Sequence, residues 1–321
     1  MLKSFKFVLG FVLVMASAAF AFGDLTPVDL LNRGRADEAL RTLNQKVSSS
    51  ASAEDYHLLC RVYYALQDYD NAVRNGERAV QLNPNNAGYR LWLGRAYGEK
   101  AARAGALSAF SLARKTVASF EKSLQLDPSD WRARRDLAEY YVEAPGIVGG
   151  GHDKARRLAD EVASSDAATA AWIRAIIAAD EKNFGEAERQ FRAAIAASGN
   201  QGTMWLELAR CYKHQQRWSD FDVAVKQALD SPKKGSTDLF DAGKMLVSAN
   251  RDLPLAVQAL RSYLDSGHTD EYGPAFAAHY FIGQGLEKQG KSGEAQAAYR
   301  AALSLASGFR PAQVALHKLG G

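Results

Sequence analysis

Apolar residues recur along most of the chain at intervals of three and four, which predicts amphipathic α-helices rather than strands. The same residue types also return after 34 positions, as in the pairs Leu59/Leu93, Tyr63/Tyr97, Ala175/Ala209 and Ala194/Ala228. A period of this length indicates a repeat architecture in which each unit is a pair of helices. Because one pair cannot bury its apolar face alone, we expect consecutive pairs to stack side by side.

Small, aromatic and proline residues follow a motif within each period. The pattern W-x2-L-G-x2-Y, then A-x3-F, then P is matched in parts by Trp205/Leu208/Ala209/Tyr212, Leu93/Gly94/Tyr97, Ala187/Phe191, Ala295/Tyr299, Pro84 and Pro128. On these residues the chain resembles the tetratricopeptide repeat (TPR) family. The resemblance implies an all-α fold, a TPR-type α-solenoid in which antiparallel helix pairs form a right-handed superhelix.

The phase of the motif divides residues 22–321 into about seven to eight repeats. The predicted units are 25–52, 53–86, 87–130, 131–167, 168–201, 202–236, 237–275 and 276–307. A further helix is predicted over 309–319, where it would cap the exposed end of the stack. The unit 237–275 fits the motif loosely.

The first 21 residues have the composition of a signal peptide. Lys3 and Lys6 precede an apolar run, and Ala19-Phe20-Ala21 fits the A-x-A cleavage pattern. The run is shorter than the roughly 20 residues of a membrane span. We therefore expect cleavage after Ala21, no stable membrane insertion afterwards, and a periplasmic or secreted protein.

Two units are longer than the period, and both are enlarged between their two helices, at 99–115 and at 144–153. The first insertion is expected to lengthen both helices of its hairpin by about a turn and a half, with Gly105 at the tip. In the second, Pro145 should end a helix and Asp153 should cap the next one. The Ala-Pro-plus-glycine segment is similar to one in some exported bacterial TPR proteins.

The second insertion admits two interpretations. Its loop either packs against the longer hairpin and seals a gap, or forms a ligand site. The residues of that site would be Gly149, Gly150, Gly151 and His152, with free helix amides to hold an anion.

In TPR proteins the first helix of each hairpin lines a concave groove, which by position predicts the groove residues here. They are His57, Arg61, Tyr64, Trp92, Arg95, Arg132, Arg135, Trp172 and Arg210. Arginine pairs with carboxylates through two parallel hydrogen bonds, and aromatic side chains anchor a ligand. The set therefore favours an acidic protein or peptide partner. The alternative is that these arginines only pair with nearby acids such as Asp136 and Glu139.

Charge and motifs change this picture little. The chain carries 40 basic and 36 acidic residues, and without Lys3 and Lys6 its net charge is +2, too small to indicate nucleic acid. No metal-ligand spacing, nucleotide loop or nucleophile motif stands in a fitting context, so we expect no enzyme, no cofactor and no metal. Cys60 and Cys211 are expected to be small buried residues rather than a disulfide.

The function expected from this pattern is a protein–protein interaction scaffold of the bacterial cell envelope that binds a partner segment in its groove. Two alternatives remain. One is a self-assembling structural protein, a homo-oligomer joined through solenoid ends or the lengthened hairpin. The other is a carbohydrate or small-anion binder at the edge formed by the two insertions.

Overall fold

The computed structural model describes residues 25–231, 237–267 and 269–320 of the chain, and these residues form α-helices joined by short loops. The described part has no β-strand and one short 3-10 helix, Gly146–Val148. The expected signal peptide, residues 1–21, lies outside the described residues. Helices α1 to α17 of the described ranges are Pro27–Asn32, Ala36–Ser50, Ala53–Ala65, Tyr69–Leu82, Ala87–Ala101, Ala106–Leu126, Trp131–Glu143, His152–Val162, Ala167–Asp180, Phe184–Ala197, Gly202–His214, Trp218–Asp230, Asp238–Ala249, Leu253–Asp265, Ala275–Lys288, Ser292–Leu305 and Arg310–Lys318.

Helices α1 to α16 form eight consecutive antiparallel pairs, and α17 packs on the last pair. Neighbouring pairs contact each other as well, for example through α4 and α5. The fold is therefore an all-α solenoid of helix pairs. The repeated leucines Leu59, Leu93 and Leu208 are at most 3% exposed, which confirms that the apolar faces cover one another.

Polar side chains start many of these helices. Thr26 and Ser52 each accept a hydrogen bond from the third helical amide, and the carboxylates of Asp29 and Asp55 accept the cap amide in return. Five further helices are capped by a side chain that accepts hydrogen bonds from first-turn amides without the reciprocal bond. The capping residues are Asp68, Asn86, Asp130, Asp166 and Asn183. Such caps satisfy amides that have no partner within the helix, so the sequence places these helix starts locally.

The lengthened hairpin differs from its prediction. Helix α5 has 15 residues and α6 has 21, whereas the preceding pair has 13 and 14. The extension therefore lies mainly in α6, because the chain turns at Gly105, only four residues after α5 ends. The prediction of two equally lengthened helices was wrong.

The glycine loop between α7 and α8 packs against this longer helix. Helix α7 ends before Pro145, as predicted. The Tyr140 hydroxyl lies within hydrogen-bond distance of two carbonyl oxygens, those of Ala113 at 2.7 Å and Val148 at 2.9 Å. Asp153 does not cap α8, because the helix begins one residue earlier and places this side chain inside its first turn, where it pairs with Arg156.

The two ends of the solenoid pack against each other. Apolar side chains of the first two pairs and of the last three helices share one buried cluster, which includes Leu30, Leu31, Leu59, Phe276 and Phe309. Helix α2 also contacts α16. The last pair and α17 therefore contact the first pair, a contact that the open superhelix of the prediction lacks.

Polar contacts hold the same junction. The carboxylate of Asp37 accepts the backbone amide of Ser307 at 2.9 Å, and Thr269 donates its hydroxyl to the carbonyl of Asn32 at 3.0 Å. A Cβ added to Gly34 would lie 2.4 Å from the amide nitrogen of Ala275, so the two backbones are in direct contact. The junction places α13 and α15 opposite α3, α5 and α7 across the concave groove.

Candidate functional site

A cavity of about 990 Å³ lies on the concave side of the solenoid. Its wall combines residues of α3, α5 and α7 with residues of α13 and α15 from the far end of the chain. Cavities of this size accommodate small ligands or a few residues of a peptide. Its position corresponds to the groove predicted from the first helices of the hairpins.

One wall of the cavity is built around Trp92 and two arginines. The Arg95 guanidinium lies 4.7 Å from the centre of the Trp92 ring, and the Arg61 guanidinium lies 5.6 Å from it. Tyr64 meets the same ring edge-on at 5.4 Å. Cations on an aromatic face are held by the ring quadrupole, so this wall presents ordered positive charge beside an apolar surface.

Both arginines already have acidic partners. The Nε of Arg95 donates to the Asp136 carboxylate at 2.5 Å, and the Nε of Arg61 donates to the Glu271 carboxylate at 2.5 Å. The Arg95 and Arg61 side chains are 12% and 13% exposed. The neighbouring carboxylate raises the pKa of Arg95 even though burial alone lowers it. The predicted pairing with Asp136 is therefore present, and the pairing with Glu271 is an addition.

A second charged group lies deeper, around Glu207. This buried carboxylate accepts a hydrogen bond from Arg135 at 2.7 Å, and the Arg210 guanidinium lies 3.7 Å away. Burial raises its pKa, but the two arginines outweigh burial, and the net shift is downward. The Arg135 guanidinium also lies 4.2 Å from the centre of the Trp172 ring.

Glu139 lines the cavity beside this group. Burial, followed by repulsion from the Glu207 carboxylate, raises its pKa to about 7. Burial also raises the pKa of Asp241 to about 6. Of these groups, the Glu139 carboxyl therefore lines the cavity and changes its charge near neutral pH.

The structure separates the predicted groove residues into three sets. Tyr64, Trp92 and Arg95 line the cavity, and Arg61 contacts its wall. Arg132 and Arg210 are exposed, while Arg135 is half-buried in its ion pair. His57 and Trp172 are buried within the helix stack, and burial lowers the pKa of His57 to about 3.

The predicted loop residues are largely occupied by the fold. The amides of Gly149, Gly150 and Gly151 donate to the carbonyls of Gly146, Pro145 and Tyr141. His152 lies between the carboxylates of Asp180 and Glu181, at 2.8 and 3.1 Å. The loop therefore packs at the edge of the solenoid with its glycine amides paired, and the ligand-site interpretation stays a prediction.

Sequence reasoning missed Glu271 and Tyr272 at the cavity. They belong to the loop between α14 and α15, in the unit that fits the repeat motif loosely. The one signal in the sequence was that arginines outnumber acidic residues in the first half of the predicted groove. This excess pointed to an acidic side chain from another part of the chain.

Three other features of the described ranges bear on function: metal-ligand clusters, cysteines and membrane-spanning helices. There, no group of three or more His, Cys, Asp and Glu side chains is arranged to hold a metal ion. Cys60 and Cys211 are free and buried, as predicted. Of the helices in residues 25–320 that the structure describes, none is both long and apolar enough to cross a membrane.

Two stretches match sequence profiles of known repeats. Residues 61–100 match "TPR repeat", and residues 245–311 match "Tetratricopeptide repeat". The chain therefore contains tetratricopeptide repeats near both of its ends. No curated protein matches the chain in sequence.

Several solved structures are similar to this fold. A tetratricopeptide repeat protein from Parabacteroides merdae has 13% identity and a TM-score of 0.44, over 92% of this chain and 96% of that one. Yeast Tom70 has 11% identity and a TM-score of 0.41, over 91% and 88%. PilW, a type IV pilus biogenesis factor, has 18% identity and a TM-score of 0.40, over 68% and 96%.

Proposed function

We propose that this protein is an interaction scaffold that binds a peptide segment of a partner protein in its central cavity. The observation that carries the proposal is the wall formed by Tyr64, Trp92 and Arg95, which faces a cavity of about 990 Å³. This wall lies within the stretch that matches the repeat family, residues 61–100.

The wall has the properties of a preformed recognition surface. Arg95 is held in place by Asp136 and by stacking on Trp92, so little side-chain entropy is lost when a ligand binds. Aromatic and arginine side chains are also the residue types that most often dominate binding energy. The opposite side adds Lys244, an exposed cation near the rings of Phe240 and Phe281.

An unbiased peptide display selection on the protein tests this proposal. Peptides that bind in the cavity should lose at least tenfold in affinity for Lys244→Glu, because the reversed charge lies on the cavity wall. The matched control is Arg189→Glu, which makes the same charge change at a side chain 77% exposed on α10. Equal affinity of every selected peptide for both variants would contradict binding in the cavity.

The proposed function includes export of the protein from the cytoplasm. The basic start, apolar run and Ala19-Phe20-Ala21 of the sequence support a cleaved signal peptide and a role in the cell envelope. Sequencing of the mature N-terminus should find Phe22 first. A protein that retains residues 1–21 in the cytoplasmic fraction would contradict export.

Self-association is a second candidate, favoured by exposed apolar side chains in the two insertions. Leu107 on α6 is 92% exposed and Ile147 in the glycine loop is 77% exposed. The solenoid ends cover each other, so the lengthened hairpin is the part that remains for assembly. Light scattering should show Leu107→Ser shifting an oligomer to monomer, and a wild-type protein monomeric at high concentration would refute this candidate.

A further inference from the structure

A short acidic and aromatic segment of the chain itself already contacts the arginine wall. Residues 269–273, here called the plug, lie between α14 and α15. The Glu271 carboxylate pairs with Arg61 at 2.5 Å, and both side chains are 14% exposed or less. The plug therefore supplies the kind of ligand that an arginine pair selects.

Tyr272 completes the contact. Its hydroxyl accepts a hydrogen bond from Arg95 at 3.1 Å, and its ring lies 5.9 Å from that of Trp92. The guanidinium of Arg132 lies 5.9 Å from the centre of the Tyr272 ring. An acidic residue followed by a tyrosine thus engages three arginines and a tryptophan at once.

The backbone of the plug is shaped from its own side of the cavity. The Tyr263 hydroxyl, on α14, donates to the carbonyl of Gly273 at 2.6 Å and accepts the amide of Asp270 at 3.1 Å. The Asp270 carboxylate accepts the amides of Tyr272 and Gly273. The contacts of Glu271 and Tyr272 with the opposite wall are made by their side chains.

Closure of the solenoid rests mainly on residues outside the plug, to which the plug adds the hydrogen bond from Thr269 to the Asn32 carbonyl. The junction between its ends is an apolar cluster that includes Leu31, Phe276 and Phe309, each at most 2% exposed. Tyr272, by contrast, is 42% exposed and borders the cavity. The side chains of Glu271 and Tyr272 can therefore leave the arginine wall while the junction stays packed.

We propose that the plug is an internal occupant of the binding cavity, and that the partner segment displaces it with an acidic residue followed by an aromatic one. This inference rests on the proposed function, since it names the ligand class of the same cavity. Binding is then competitive. The apparent affinity for the partner equals the affinity of the empty wall multiplied by the fraction of molecules in which the plug has left the wall.

The test uses a ten-residue peptide with Asp-Glu-Tyr at its centre and Gly/Ser flanks, measured by calorimetry. The full chain is compared with a Glu271→Gln/Tyr272→Ser variant, whose wall is emptied. If the plug is bound nine-tenths of the time, emptying the wall tightens binding about tenfold. Adding Arg61→Gln to the emptied variant should abolish that gain, and a control peptide with Asn-Gln-Ser at its centre should not bind.

A second measurement needs no substitution. In the unmodified protein, saturating peptide should abolish the nuclear Overhauser contact between the Tyr272 and Trp92 rings, whose centres lie 5.9 Å apart, because the Tyr272 side chain leaves the wall. Equal affinity of both proteins, binding to neither, or a ring contact that persists at saturation would overturn the inference. The proposed function would survive these results if display-selected peptides still depended on Lys244.

Discussion

Replacing Glu139 with glutamine removes the acid whose charge the cavity disfavours most clearly. The carboxyl lies on α7 near the buried Glu207 carboxylate, and burial and this repulsion raise its pKa from 4.5 to about 7. Between these two pH values the unfolded chain has lost its proton while the folded chain keeps it. Stability that is present below pH 4.5 is therefore lost as the pH rises to about 7.

The size of the effect follows from the shift. At about 1.4 kcal/mol per pKa unit, the rise corresponds to about 3 kcal/mol of stability. Glutamine resembles the protonated acid and carries no charge at any pH. We expect Glu139→Gln to match the wild type near pH 4 and to be more stable by about 3 kcal/mol at pH 8.

Urea unfolding followed by circular dichroism, repeated across this pH range, measures the difference. The control is Glu143→Gln, the same change four residues further along α7 at an exposed side chain. Its stability relative to the wild type should vary little with pH. If Glu139→Gln and the wild type keep a constant difference from pH 4 to pH 8, the reasoning about a buried, repelled carboxyl is wrong.

Three further predictions concern the fold. Leu208→Ala, at a fully buried side chain, should lower the free energy of unfolding measured in urea by about 3 kcal/mol. Leu107→Ala, at a side chain 92% exposed, should lower it by less than about 0.5 kcal/mol. Equal losses of stability in the two variants would contradict the packing. Gly150→Ala places a Cβ 1.7 Å from a backbone carbonyl oxygen and should lower the melting temperature, while Gly146→Ala on the same loop, with no atom within 4 Å, should not. Burial raises the pKa of the Cys60 thiol to about 12, so iodoacetamide should label it only after unfolding, and rapid native labelling would refute this.

Local patterns were sufficient to predict the helix pairs. Spacings of three and four set the apolar faces, and the 34-residue period set how the pairs follow one another. Helix boundaries depend on caps and prolines close in sequence, which explains why Pro145 ended α7 as expected. The helix lengths around Gly105 were less predictable, because a turn can form at several places along an alanine-rich stretch.

The sequence predicted the residues on one side of the cavity, and it did not predict those of the loop between α14 and α15. Position within the repeat located Tyr64, Trp92 and Arg95 at the concave surface, where the structure also finds them. Position alone did not distinguish a residue that faces the cavity from one buried in the stack, such as Trp172, which has no exposed surface. Exposure depends on neighbouring pairs, whose side chains are not set by the repeat motif.

The sequence by itself determined which segments become helices, which faces are apolar, and that hairpins stack in order, because these properties depend on neighbours within a single repeat. Only the tertiary structure decided that the two ends meet and that Glu271 reaches Arg61, 210 positions away in the chain. Small rotations between successive pairs add up along the solenoid, and their sum, which no single repeat contains, places the loop between α14 and α15 against Arg61 of α3.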